Sequence, residues 1–173
     1  KTKFKGGPDI RPVAAAGAAS PPPQPRGAGA PPVRPSTPGA LMIFDPDIDR
    51  LSLEELKRVK DLTISRPAVG SITFHGETDC TELDFEHVVR LEIGEVLIYP
   101  ESSTKPPVGT GLNKAATVTM YQCWPPNPSK LLQDTKSQDR YKKKIKQMTE
   151  EKNATFIDYD CATGVWQFCV EHF

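Results

Sequence analysis

His172 stands where a histidine could act as a base. The closing stretch WQFCVEHF, residues 166–173, alternates like a β-strand. Trp166, Phe168 and Val170 fall on one side, Gln167 and Glu171 on the other. His172 lies in phase with the apolar side, one residue from the end of the sequence. Strand phase turns it inward, while its position near the end keeps it accessible. On the residues alone, a satisfied core histidine is the commoner reading. The chemical reading is a general base of near-neutral pKa, acting beside the last peptide bond. His75 closes another alternating run on its polar side, and His87 follows Glu86 on a short helical turn. Both read as surface residues.

The other reactive residue types form no recognisable constellation. Cys80, Cys123, Cys161 and Cys169 contain no C-x-x-C pair, which argues against zinc. Cys169 lies inside the closing strand and reads as a small buried hydrophobe. Free thiols suit a cytosolic or nuclear protein better than a secreted one, and the sequon Asn153-Ala154-Thr155 then reads as chance. Residues 13–20 (VAAAGAAS) are too short and too weakly apolar to span a membrane. Lys142, Lys143, Lys144 and Lys146 could form a nucleic-acid patch. However, Glu150 lies four residues after Lys146 and no aromatic is interleaved, so a solvated helix face is favoured and RNA binding stays as the alternative. G-x-x-x-x-G-K-[ST], G-x-S-x-G and H-E-x-x-H are absent. Gly109 and Gly111 of GTGLNK precede a strand rather than a helix, which argues against a phosphate cradle. No cofactor is implied.

These residues must be positioned by a domain that occupies only part of the chain. Residues 1–40 hold 10 of the 18 prolines, 6 of the 12 glycines and few large apolar side chains. Such a segment buries too little to offset its ordering entropy and reads as a flexible linker. Residues 41–173 hold both tryptophans and form one domain. The linker is basic and the domain acidic, by about five charges each, so the net charge of zero conceals a split. The first residue is Lys1 rather than Met, as expected of a piece of something longer.

Within the domain, Ser52 and Glu55 form a capping box, with Leu51 and Leu56 as its staple, predicting a helix at about 53–60. Asp84 caps a short turn in LDFEHVV. Tyr141, Ile145 and Met148 recur at helical spacing and predict the longest helix over 138–152. Strands are predicted at Ile72–Phe74, in EVLIYP, in TVTMYQCW, and in ATFIDYD and VWQFCVEHF, the last two joined as a hairpin with Gly164 in its turn. Pro106, Pro107, Gly109 and Gly111 predict a shaped loop without regular structure. The expected fold is α+β: a mostly antiparallel sheet flanked by two or three short helices.

Three stretches resemble one family: KPPVGTGLNKAATVTM (105–120), GSITFHGETD (70–79) and the closing GVWQFCVEHF. The resemblance is to the autoproteolytic C-terminal domain of the GLFG-repeat nucleoporins, of the ninety-eight-kilodalton type. It covers about 41–173. One departure is local: where the family has Gly-Tyr-Gly, this chain has Ala68-Val69-Gly70. The family cleaves its precursor after His-Phe and before a serine, which implies that this chain is an amino-terminal cleavage product. The resemblance implies His172 as the base, Phe173 as the scissile carbonyl, and Asn113 with the loop backbone around Gly111 as candidate oxyanion donors. It implies a nuclear pore protein that anchors upstream FG repeats, supporting transport of protein and mRNA. Implied partners are a β-propeller nucleoporin of the cytoplasmic side and the first residues of the downstream product. Scaffold nucleoporins are further candidates through linker 1–40, where KTKFKGGPDI with Phe4 is the best docking segment.

Overall fold

The computed structural model describes residues 42–173 and the backbone of residues 3–5. Its centre is a six-stranded antiparallel sheet. In chain order the strands are β1 (Lys3–Lys5), β2 (Ile43–Asp45), β3 (Val59–Lys60), β4 (Thr63–Arg66), β5 (Gly70–Phe74), β6 (Glu77–Thr78), β7 (Val89–Glu92), β8 (Glu95–Ile98), β9 (Ala116–Met120), β10 (Ala154–Asp160) and β11 (Val165–Val170). The central sheet runs β10-β11-β9-β5-β4-β2. Two smaller sheets, β1-β8-β7 and β3-β6, complete the β-structure among the described residues.

Two-residue alternation decides which side chains fill the core. Ile64, Ile72, Phe74, Val118, Met120, Trp166 and Phe168 are fully buried on the inner face of the central sheet. Between them along the strands, Thr73, Thr117, Thr119 and Gln167 stay half-exposed on the outer face. The longest helix covers the inner face. Tyr141 on it stacks edge-on against Tyr159 at 5.4 Å, and Trp166 Nε1 donates to Thr149 Oγ1 at 3.2 Å. Lys142 ties the same helix to Asp158 of β10 at 2.6 Å.

Four short or medium helices flank the sheets: α1 (Leu53–Leu56), α2 (Phe85–Val88), α3 (Pro128–Gln133) and α4 (Thr135–Glu151). The capping box forms, with Ser52 N donating to Glu55 Oε2 at 2.8 Å and Glu55 N to Ser52 Oγ at 3.4 Å. The helix it starts is only one turn, because Val59 and Lys60 leave to pair with β6. Asp84 precedes α2 as expected, but its carboxylate binds His87 Nδ1 at 2.9 Å instead of capping backbone. The long helix begins before residue 138, because Asp134 accepts from the Lys136 and Ser137 N–H groups. Pro128 opens α3, since proline suits the first turn of a helix. The loop expected to lack regular structure holds a 3₁₀ turn at Ser102–Thr104 and a bridge between Thr110 and Asn113. Lys3–Lys5, within the segment read as linker, forms a strand on β8. The rest of that reading lies outside the described residues.

Candidate functional site

The end of β11 departs from its sequence phase. The strand stops at Val170, and the next two residues, Glu171 and His172, are exposed. Phe173 is 1% exposed. Had the strand continued, His172 would point inward and Phe173 outward. Breaking the strand after Val170 exchanges them, because the phenyl ring gains far more from burial than an imidazole does. The Phe173 ring rests at 5.9 Å from that of Phe74.

The K-P-P-V-G loop comes from a different part of the chain and meets Phe173 at Asn113. Phe173 N donates to Asn113 Oδ1 at 3.1 Å, and Asn113 Nδ2 donates to the Pro106 carbonyl at 2.8 Å. These two partners fix the orientation of the amide, since only its oxygen can accept and only its nitrogen can donate. Asn113 is 1% exposed, so both bonds lie in surroundings that make them costly to lose. Asn113, expected as an oxyanion donor, thus presents its acceptor to Phe173.

The loop is braced from within. Thr110 N bonds the Pro107 carbonyl, Asn113 N the Thr110 carbonyl, and Gly109 N the Asn113 carbonyl. Leu112 N donates to Tyr99 Oη at 3.1 Å. Burial pushes the Tyr99 phenol above its usual pKa, partly offset by that Leu112 N–H, so it stays neutral. Gly111 has φ +54°, and a Cβ there would lie 2.6 Å from Tyr99 Oη. Both the left-handed backbone and the close approach exclude a side chain. Next to Asn113, Lys114 reaches the Glu77 carbonyl at 2.6 Å and Thr78 Oγ1 at 3.2 Å. Burial draws its pKa down, and Asp61, Cys80 and Glu77 draw it back up.

The structure brings Phe173 and Asn113 together and leaves the His172 ring at the surface beside them, with no hydrogen bond or ion pair among the described residues. His75 and His87 are exposed and lie on other elements, His75 bonding Thr117 Oγ1 at 2.8 Å. Cys169 is half-exposed, on the face opposite Trp166, and approaches Thr117 Oγ1 at 3.3 Å. Its reading as a core residue fails because the strand's own alternation turns it outward. All four cysteines are free thiols. Phe74 and Tyr99 were not foreseen as supports of the site. Their roles depend on contacts with residues far along the chain, which no local pattern announces.

Known proteins are similar to this domain in sequence and share its fold. The family described as Nup98-96 autopeptidase S59, the Nucleoporin2 family, matches residues 43–173. The Nup98-Nup96 nuclear pore complex protein of Dictyostelium discoideum is 38% identical over 133 residues, 74% of this chain and 6% of that protein. The nuclear pore complex protein NUP96 of Arabidopsis thaliana is 43% identical over 116 residues, 67% of this chain and 11% of that protein. The chain therefore spans only a small part of these relatives. Among solved structures, a Nup145N APD mutant fused to Nup145C N, from Chaetomium thermophilum, superposes with a TM-score of 0.68. It is 30% identical, with 78% of this chain and 96% of that chain covered. A chain of the yeast heterotrimeric Nup82-Nup159-Nup116 complex shares the fold, with a TM-score of 0.63 at 23% identity, covering 76% of this chain and 95% of that one. The alternative of an RNA-binding face at Lys142–Lys146 finds no support in these matches. The chain belongs to the Nup98-96 autopeptidase family of nuclear pore proteins, whose model spans residues 43–173.

Proposed function

We propose that residues 43–173 cut their own precursor once, after Phe173, and thereafter serve as a docking module that anchors an upstream FG-repeat chain at the nuclear pore. The observation that carries the reading is the Phe173–Asn113 hydrogen bond on a fully buried Phe173 ring. A substrate residue bonded at its amide and anchored by its side chain has little freedom left. Its carbonyl is offered in one orientation, which is the proximity effect that an intramolecular reaction exploits.

In the precursor, the hydroxyl of the residue following Phe173 attacks the Phe173 carbonyl carbon. His172, flanking that bond, takes the hydroxyl proton. The tetrahedral intermediate collapses with loss of the C–N bond, and the proton passes to the departing amine. The acyl group has then moved from nitrogen to oxygen. Water hydrolyses the resulting ester, leaving a carboxylate on Phe173 and a free hydroxyl on the released chain. Asn113 is a positioning residue through Oδ1, and its second Nδ2 hydrogen is the candidate oxyanion donor. A broad open cleft of about 1350 Å³, lined by Tyr99, Pro106, Gly109, Gly111, Lys57 and His87, adjoins the loop that holds Phe173. It is the candidate seat for the downstream segment. Docking on a β-propeller nucleoporin is the second partner expected.

The test is a precursor extended past Phe173 by its natural residues, followed by gel over time. Wild type is expected to cleave during expression. His172→Ala should slow cleavage by roughly 10²–10⁴-fold while keeping wild-type circular dichroism, since the ring is exposed and unbonded. Cleavage of His172→Ala at the wild-type rate would remove His172 from the base role.

A further inference from the structure

The small sheet β1-β8-β7 contains a strand that is far from it in the chain. Lys3, Phe4 and Lys5 pair antiparallel with Leu97, Val96 and Glu95. Thirty-six residues, 6–41, separate β1 from Met42, the next described residue. Without β1, β8 is an open edge.

The other edge of this sheet, β7, is tied to β4 of the central sheet. Arg66 Nη1 donates to the Leu91 carbonyl of β7 at 2.7 Å. The β7–β8 hairpin turns tightly through Ile93 and Gly94, pairing Glu92 with Glu95 and Leu91 with Val96. In an antiparallel ladder, alternate residues turn their N–H and C=O groups to the far side. Val96 is the position at which β8 meets Phe4.

Charge selects what can lie on this edge. Residues 82–101 hold six acidic residues, Glu82, Asp84, Glu86, Glu92, Glu95 and Glu101, against one cation, Arg90. Glu92 and Glu95 stand directly opposite each other, a like-charge pair that destabilises the hairpin by itself. The sequence that pairs here, KTKFK, carries Lys1, Lys3 and Lys5, and Lys5 is in register with Glu95.

We propose that the β8 edge is a β-augmentation site for short, lysine-rich extended segments, occupied in this chain by Lys3–Lys5 in cis. Three residue pairs bind a free peptide weakly. A tether raises the local concentration of the segment to the millimolar range, which favours closure within one chain over capture from solution.

The test reads amide hydrogen exchange of β8 in the full chain. Phe4→Pro removes the central N–H of β1 and leaves residues 42–173 unchanged. Protection at Val96 is expected to fall at least about ten-fold in this variant, with protection in β9 and β11 unaltered. A synthetic KTKFKGG peptide should restore it only near millimolar concentration, and less well as salt rises. An ETEFEGG peptide should not restore it. Unchanged Val96 protection in Phe4→Pro overturns the proposal. Protection that rises with wild-type protein concentration would place the strand in a second copy and overturn the assignment in cis. Cleavage after Phe173 is untouched by either result.

Discussion

Asn113→Ala removes the side chain that hydrogen-bonds the loop to Phe173. Two hydrogen bonds go with it, to the Phe173 N–H at 3.1 Å and to the Pro106 carbonyl at 2.8 Å. A buried polar group left without a partner costs about 1–3 kcal/mol. Phe173 is fully buried, so its N–H bears that cost in full, whereas Pro106 is half-exposed and water recovers part of its share. The expected loss is about 2–4 kcal/mol, read by urea denaturation at neutral pH. In the extended precursor, cleavage should slow by more than the stability loss explains, because Phe173 is no longer held. Asn113→Asp separates the two bonds. Its carboxylate still accepts from Phe173 N–H but opposes the Pro106 carbonyl. Once protonated it can donate to that carbonyl, so the gap to wild type should narrow as pH falls. If Asn113→Ala unfolds within about 0.5 kcal/mol of wild type, the bridge contributes nothing and the positioning argument fails.

Three further outcomes follow from the packing. Trp166→Ala should cost roughly 3–5 kcal/mol, because the ring is fully buried and its Nε1 bonds Thr149; a change under about 1 kcal/mol in the denaturation midpoint energy would contradict the core assignment. Ala68→Gly should stabilise the domain by about 0.5–1 kcal/mol, since Ala68 sits at φ +61°; a lower melting temperature would refute this. Iodoacetamide at pH 8, followed by mass spectrometry, should add two adducts to the native protein and four after unfolding. Burial pushes the Cys80 thiol to about 11 and that of Cys123 to about 12, while Cys161 and Cys169 are half-exposed. Rapid native labelling of Cys123 would be the contrary result.

What the sequence discloses depends on how local the cause is. The capping box, the α4 stripe and the alternation of β5, β9 and β11 are all decided within a few residues, and each is present. The candidate site residues were suggested only by the family's loop and its His-Phe ending. The site's geometry was not. The end of β11 breaks phase because the Phe173 ring finds Phe74, 99 positions earlier in the sequence. The orientation of Asn113 is set by Pro106 and Phe173 together, and Tyr99 enters through a left-handed φ of +53° and one hydroxyl. The Ala68 departure shows the same division. The backbone still takes the left-handed turn, at φ +61°, although the sequence no longer supplies a glycine for it.

On the proposed chemistry, the same contacts that position the substrate explain why the reaction occurs once. A turnover enzyme binds its transition state better than its product and lets the product leave. Here the acyl product is Phe173 itself. Its ring is buried against Phe74 and its N–H is bonded to Asn113, neither of which is the bond that is cut. Removing that ring to water costs roughly 1.5–3 kcal/mol, and the chain of β11 holds it at an effective concentration that no second substrate can match. Phe173 therefore continues to fill its own acyl site. The surfaces left to act afterwards are the cleft beside the loop and the β8 edge.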